Sequence, residues 1–441
     1  MANPDRALDR ATGSRPVAGN AASLLDAPAA LAVMRHAIAN ARHTVHFENY
    51  IVTADATGRG FAQLFTDAAR RGVIVRILYD WLGSRSTPFW FWRDLLAAGC
   101  HVRAANRPSL AHPLRLLQRD HRKLCVVDGT DAVLGGVCIA DSWDGEEAWR
   151  DVALGVRGPA VRVLDAGFAE AWVAMGGDPI TLDGSAAPPA GTAELRIIEG
   201  TPGAFRLHRT MEYLAAIVER QMWITDAYFV APPSLVRALI AAVRDGVDVR
   251  LMVPGHSDLP VVRTFTRVGY RELLIAGVRI WEWHGPMLHS KTAVVDGRYV
   301  KVGSSNLNPS SLMGNWELDA LVDDPTMATE AAHAFRRDIS QSVEVILRAP
   351  RLTTALPPAV VASARRRKRR PARELPRRAV RTLRQVAGGA QRGLAGAVTF
   401  VLVGVGVLSV TLPTVVAYAM AAVAFGLAGL AASRGVARWR D

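Results

Sequence analysis

One eight-residue phrase occurs twice in this chain, and it constrains the fold more than any other feature. Residues 121–128 read HRKLCVVD and residues 289–296 read HSKTAVVD. Each has a His, a Lys two positions on and an Asp seven positions after the His. Each is followed at the same offset by a turn of small residues, Gly135-Gly136 and Gly303-Ser304. The surroundings repeat as well: HFENYIV (46–52) pairs with ITDAYFV (224–230), RGVIVRILYD (71–80) with DGVDVRLMVP (245–254), and LLAAGCHVR (95–103) with LLIAGVRIW (273–281). The order is kept while the offsets drift, which describes two homologous halves with loop insertions and not a short solenoid repeat.

Each half alternates β-branched and aromatic runs with helical stretches such as FAQLFTDAARRG and SLVRALIAAVRDG. This alternation predicts an α/β sandwich per half. The Pro-, Gly- and Ala-rich stretch 181–195 marks the join, so the halves are set at 26–185 and 186–349, after a disordered N-terminus over 1–25. MANPDRALDRATGSR has charges and no apolar core, so no signal peptide is expected.

The formal charge of +13 suggests a nucleic-acid binder until it is located. Residues 365–392 hold twelve Arg or Lys against Glu374 alone, the tail 434–441 adds three Arg against Asp441, and the rest of the chain balances. A neutral body does not suit a protein that tracks a phosphate backbone, and no nucleic-acid partner is expected. No charged residue occurs from Gly393 to Ser433. That run, with Pro413 near its middle, predicts a two-helix membrane hairpin over 393–433 after a basic linker, 350–392. A buried core hairpin is the alternative. Basic residues flanking both ends place them in the cytoplasm, and the linker suits anionic lipid headgroups. The three cysteines, Cys100, Cys125 and Cys138, form no CxxC pair, so neither a disulfide scaffold nor a zinc site is expected.

A duplicated His-x-Lys without a cysteine cluster points to metal-free, cofactor-free chemistry on a phosphodiester. HRKLCVV reads as a strand, and strand side chains alternate, so His121 and Lys123 project from one face, as do His289 and Lys291. One imidazole supplies a nucleophile or an acid, and transfer through a covalent intermediate needs both. If the halves pack about a pseudo-twofold axis, both His and both Lys face one cavity, with the ammonium groups stabilising the phosphoryl oxygens. Asp151 in WRD and Glu317 in NWE lie 30 and 28 positions after the two His, and are candidates for orienting the imidazoles. Ser305 and Asn306 can add neutral donors. Asp128 and Asp296 stand at DG turns and on geometry look like turn formers or ion-pair partners. Tyr50, Asp80 and Tyr228 end predicted strands, where sites of α/β sheets form. The run Phe89-Trp90-Phe91-Trp92 fits either a lipid interface or the packing of its helix.

On these residues, from about His46 to Val322, the chain resembles the phospholipase D superfamily, the HKD enzymes, and within it the bacterial cardiolipin synthases. FENYI, RDHRKLCVVDG, WRDVALGVRGPAV, LHSKTAVVDG and GSSNLNPSSLMGNWEL carry the resemblance. It implies two phospholipase D-like α/β/α halves around one site, a phosphohistidine intermediate, and transfer of a phosphatidyl group from phosphatidylglycerol to a second lipid alcohol at the bacterial inner membrane. It implies His121 as nucleophile and His289 as acid and base, and counts Asp128 and Asp296 with the catalytic set. Hydrolysis of the same intermediate by water is the rival reading, and a nuclease of the same fold a more distant one. Two departures touch the site: Cys138 stands where the family usually has Asn, and Ala153 where WRD often continues with His. A third concerns the membrane helices, which in better known members often precede the catalytic body and here would follow it.

Overall fold

A computed structural model describes residues 4–108, 117–182 and 187–347. The expected basic linker, membrane hairpin and basic tail lie outside the described residues. Among the described residues no helix is long and apolar enough to cross a membrane.

The first half contains α1 (Pro4–Thr12), β1 (Val17–Asp26), α2 (Ala27–Asn40), β2 (Thr44–Asn49), α3 (Ala56–Arg70), β3 (Ile74–Asp80), α4 (Phe89–Ala97), β4 (His101–Ala105), β5 (Leu124–Val127), β6 (Asp131–Gly135), β7 (Val152–Arg157) and α5 (Ala160–Ala174). The second contains β8 (Ala193–Gly200), α6 (Arg206–Ile217), β9 (Gln221–Thr225), α7 (Pro233–Arg244), β10 (Asp248–Pro254), α8 (Pro260–Ala276), β11 (Arg279–Trp283), β12 (Thr292–Val295), β13 (Tyr299–Gly303), β14 (Glu317–Asp323), α9 (Pro325–Ser340) and β15 (Ser342–Val345). Helix starts follow local chemistry: Asp26, Asp55 and Asp324 cap α2, α3 and α9 by accepting first-turn N–H groups, and Gly277 ends α8 at φ 104°.

The strands form one sheet whose order repeats outward from an antiparallel β1·β8 pair. One arm runs β7-β6-β5-β2-β3-β4 and the other β14-β13-β12-β9-β10-β11, with β15 added at the second edge. The outer three strands of each arm are parallel and the inner ones antiparallel. This is the twofold-related pair of halves that the duplication predicts.

The strands that carry the motifs read as apolar runs because both their faces are covered. Leu124 and Val126 pack with Leu164 and Phe168 of α5, whereas Cys125 and Val127 pack with Ala30 and Leu31 of α2. In the second half Val294 meets Phe335 of α9, while Ala293 and Val295 join the core under α6 and α7. Each such buried Val or Leu contributes about 2 kcal/mol. The layers are therefore α/β/α, and the two His-x-Lys segments lead into buried strands of the middle layer.

The expectation of disorder over 1–25 is corrected for residues 4–25. α1 is amphipathic, buries Leu8 and Ala11, and ties Asp9 to Arg196 at 3.1 Å. VAGNAASLLD is a weak strand sequence, but as β1 it lies between β7 and β8, so partners on both sides satisfy its backbone. The sheet of the first half thus begins at Val17, ahead of the expected boundary at 26.

Candidate active site

Both His-x-Lys segments are the extended lead-ins to β5 and β12, not parts of those strands. Each is fastened to the opposite half by backbone bonds. His121 N donates to Trp316 O at 2.9 Å and Trp316 N to Arg119 O at 2.8 Å. In the mirror arrangement His289 N donates to Arg150 O at 2.9 Å and Arg150 N to Met287 O at 2.8 Å. Each motif therefore runs alongside the acid-bearing segment of the other half.

The side chains follow the backbone across the junction. His121 Nδ1 pairs with Glu317 Oε2 at 2.9 Å, and His289 Nδ1 pairs with Asp151 Oδ2 at 2.7 Å. Glu317 and Asp151 are thus the acids bonded to the imidazoles, and the pairing is crossed: neither acid is bonded to the histidine of its own half. A carboxylate accepts, so each imidazole carries its proton on Nδ1 and leaves Nε2 free for chemistry.

The acids are themselves held. Glu317 accepts from Ser304 Oγ at 2.5 Å, from Ser311 Oγ, and from Asn315 Nδ2 at 3.2 Å. Asp151 accepts from Trp143 Nε1 at 2.9 Å and Val152 N at 2.8 Å. A Cβ on Gly136 would come within 2.2 Å of Asp151 Oδ1, so the second glycine of that turn makes room for the carboxylate. The equivalent Ser304 uses the same place to donate to Glu317.

Lys123 Nζ donates to His121 O at 2.6 Å, and Lys291 Nζ donates to His289 O. Each keeps further protons for a ligand. Lys123 also lies over the Tyr50 ring at 5.0 Å and Lys291 over Tyr228 at 5.8 Å. The same tyrosines stand edge-on to the imidazoles, Tyr50 to His121 at 4.7 Å and Tyr228 to His289 at 5.9 Å. Asp80 accepts from Asp120 N at 2.8 Å, beside His121, and so fixes the main chain.

Burial and charge set the protonation states. Burial drives the His289 imidazole down to about 3, Lys291 pushes it the same way, and Asp151 only partly opposes them. His121 is lowered for the same reasons, burial first, with Lys123 and Lys291 both acting against its protonation. The crossed side-chain pairs and the backbone bonds beside them bring the two motifs to one junction. Burial would raise the Asp151 carboxyl, but His289, Lys291 and Trp143 together hold it below the usual carboxylate range. Glu317 is likewise held low against burial by His121, Lys123 and Ser304. Burial brings the Lys291 ammonium down to about 8. The resting site thus holds two neutral imidazoles, two carboxylates and the ammonium groups.

Three assignments are corrected. Asp128 does not belong to the catalytic set: its carboxylate accepts from the backbone N–H of Arg42, His43 and Thr44 at 2.8, 2.7 and 2.9 Å. Asp296 does the same for Glu219, Arg220 and Gln221 at 3.0, 2.8 and 3.0 Å. Both sit in left-handed turns, at φ 51° and 54°. Seven residues of extended chain, ~20 Å, separate them from their histidines. They staple the turn after each motif strand to the start of its neighbour. Ser305 is not a donor into the site either: its hydroxyl donates to Asp319 and accepts from Lys301 at 2.9 Å, within a buried Lys301–Asp319 pair at 3.0 Å. The first half has the apolar Val133, Val137 and Ala153 at the matching positions. Asn306 is buried, with Oδ1 lacking a partner, and Cys138 occupies the matching position in the first half, buried and under the influence of Lys123 and Lys291.

Sequence reasoning missed Trp143 and Trp149, whose rings lie 5.2 and 5.8 Å from that of His289, and the seryl and amide groups around Glu317. Two tryptophans within the eight residues before Asp151 were the available signal.

The family model described as cardiolipin synthase, PLD-like domain, matches residues 34–144 and 215–339. A cardiolipin synthase of Geobacillus kaustophilus is 33% identical over 311 residues, covering 68% of this chain and 61% of that protein. Cardiolipin synthase A of Pseudomonas fluorescens is 32% identical, covering 73% of this chain and 69% of its own. The chain thus spans 61% and 64% of the length of the cardiolipin synthases of G. kaustophilus and G. thermodenitrificans. The crystal structure of phosphatidylserine synthase from Haemophilus influenzae aligns with a TM-score of 0.58 at 14% identity, over 78% of this chain and 92% of that one, a likeness of fold. The chain belongs to the cardiolipin synthase family of phospholipase D-like proteins.

Proposed function

We propose that the protein is a membrane-bound phosphatidyltransferase of the cardiolipin synthase type, moving a phosphatidyl group from one phosphatidylglycerol to another and releasing glycerol. The crossed imidazole–carboxylate pairs carry this reading, because they supply two preset Nε2 atoms and two ammonium groups around one space. The phosphodiester anion of the donor offsets the lysines on binding and restores a proton to one imidazole. His121 Nε2 attacks phosphorus and the bond to the glycerol oxygen breaks. His289 Nε2–H protonates that oxygen, and glycerol leaves. The hydroxyl of the second lipid then gives its proton to His289, its oxygen attacks phosphorus, and the P–N bond breaks. Lys123 and Lys291 balance the charge on the non-bridging oxygens throughout. The resemblance supports His121 as the nucleophile. The uncharged run 393–433 supports a bacterial inner-membrane location with the catalytic body on the cytoplasmic side, and the basic run 365–392 supports contact with anionic headgroups.

Incubation with labelled phosphatidylglycerol in mixed micelles, with products separated by mass, tests the proposal. Cardiolipin and glycerol are expected. Phosphatidic acid alone would make the protein a hydrolase, and unchanged substrate would refute transfer altogether.

A further inference from the structure

Two helices begin beside the site, one from each half, and both turn apolar side chains to solvent. α4 buries Phe91, Trp92 and Leu95 but leaves Phe89 77% and Trp90 46% exposed. Its counterpart α8 buries Tyr270 and Leu273 and exposes Phe265 at 60% and Val268 at 73%, with Leu259 exposed just before its start. The aromatic run at 89–92 therefore divides, its second pair in the core and its first pair outside.

Both exposed clusters are anchored to the tyrosines that stand on the imidazoles. The loop entering α4 packs on Tyr50: Ser84 Oγ donates to Tyr50 O at 3.2 Å, and a Cβ on Gly83 would meet the Tyr50 ring at 2.8 Å. In the second half Tyr228 Oη donates to Asp258 Oδ1 at 2.8 Å, and Leu259 is the next residue. Phe265 and Val268 follow within ~12 Å along the helix. The apolar residues thus sit at the end of the sheet where the two histidines lie. Arginines accompany them: residues 81–97 hold two against one acid, and residues 259–276 three against one.

We propose that Phe89, Trp90, Leu259, Phe265 and Val268 form a docking face that seats the active-site end of the protein on an anionic phospholipid surface. The inference rests on the proposed lipid substrates. Aromatic and aliphatic side chains interleaved with arginine are the composition that enters the headgroup–acyl boundary. Four residues on two separate helices, with Leu259 just before the second, border the site as a rim, unlike the continuous apolar patch of a stable dimer. Docking there lets a lipid headgroup reach the imidazoles while its acyl chains stay in the bilayer.

The test uses the full chain and the variant Phe89→Ser/Trp90→Ser/Phe265→Ser/Val268→Ser. In vesicles of phosphatidylglycerol doped with a phospholipid that carries a diazirine near its glycerol, photolysis and peptide mapping are expected to label segments 85–97 and 259–271 in the native protein and not in the variant. Adducts confined to 393–433 would overturn the proposal. The variant is also expected to lose ~100-fold in transfer rate on vesicles, from the apolar burial removed, and to keep its rate on monomeric short-chain phosphatidylglycerol. An equal loss on both substrates would overturn it, as would native protein that is dimeric and unlabelled beside a monomeric variant. Labelling does not depend on catalysis. A labelled but inactive native protein would sink the transferase reading alone, and an active, unlabelled one the docking face alone.

Discussion

Replacing Glu317 by Gln tests the crossed pairing at its most exposed point of logic. One oxygen of Glu317 accepts from His121 and Ser304, and the other from Ser311 and Asn315. A glutamine has one acceptor oxygen for these four donors. If its oxygen faces His121, its NH2 group meets the Asn315 NH2 group. If its NH2 group faces His121, the imidazole must accept at Nδ1 and carry its proton on Nε2, where it cannot attack phosphorus. Holding the wrong tautomer costs on the order of 10²–10⁴ in rate, about 3–5 kcal/mol of transition-state stabilisation. The assay is transfer from labelled phosphatidylglycerol, read beside ¹⁵N shifts of labelled histidines assigned with His121→Ala and His289→Ala. The expected result is a fall of that size with the His121 resonances moved and those of His289 unchanged, although Glu317 lies 28 residues from His289 and 196 from His121. A rate within twofold of native, or a perturbed His289 in place of His121, would refute the crossed pairing.

Asp128→Ala removes an acceptor from three backbone N–H groups in a partly exposed turn and is expected to cost about 2 kcal/mol of stability, while the rate per folded molecule is unchanged; a rate loss without a lower melting temperature would return Asp128 to the catalytic set. Folding holds His289 neutral down to about pH 3, whereas the unfolded chain protonates it near 6.5, so stability is full above 6.5 and declines as the pH falls. Between pH 7 and 5 this amounts to about 2 kcal/mol, read from melting curves in detergent, and a flat profile would contradict it. Lys291 loses its proton near pH 8, so kcat/KM is expected to fall above that value, and activity constant to pH 10 would count against its role at the phosphoryl oxygens.

The duplication, the α/β layering and the two His-x-Lys pairs were legible because they depend on local pattern: apolar runs, strand alternation and a repeated phrase. The crossed assignment was not, since Asp151 and Glu317 stand at nearly the same spacing from the histidines they do not serve. Only the bridges from His121 to Trp316 and from His289 to Arg150 reveal it. β1 was hidden for a related reason, as its stability comes from two flanking strands and not from its own residues. Ser305 looked like a donor because a sequence does not show that Lys301 and Asp319 are buried beside it. The turn-forming character of Asp128 and Asp296 could be read from strand parity, and the resemblance alone favoured a catalytic role.

The exchange of acids across the junction bears on how such a chain can evolve. After a duplication, one copy is ordinarily released to drift. Here a lesion in either copy disables an imidazole belonging to its sibling, so selection sees the two as one unit. Severed halves would regain competence only by finding each other, and two chains each broken in a different copy could rescue activity by trading halves.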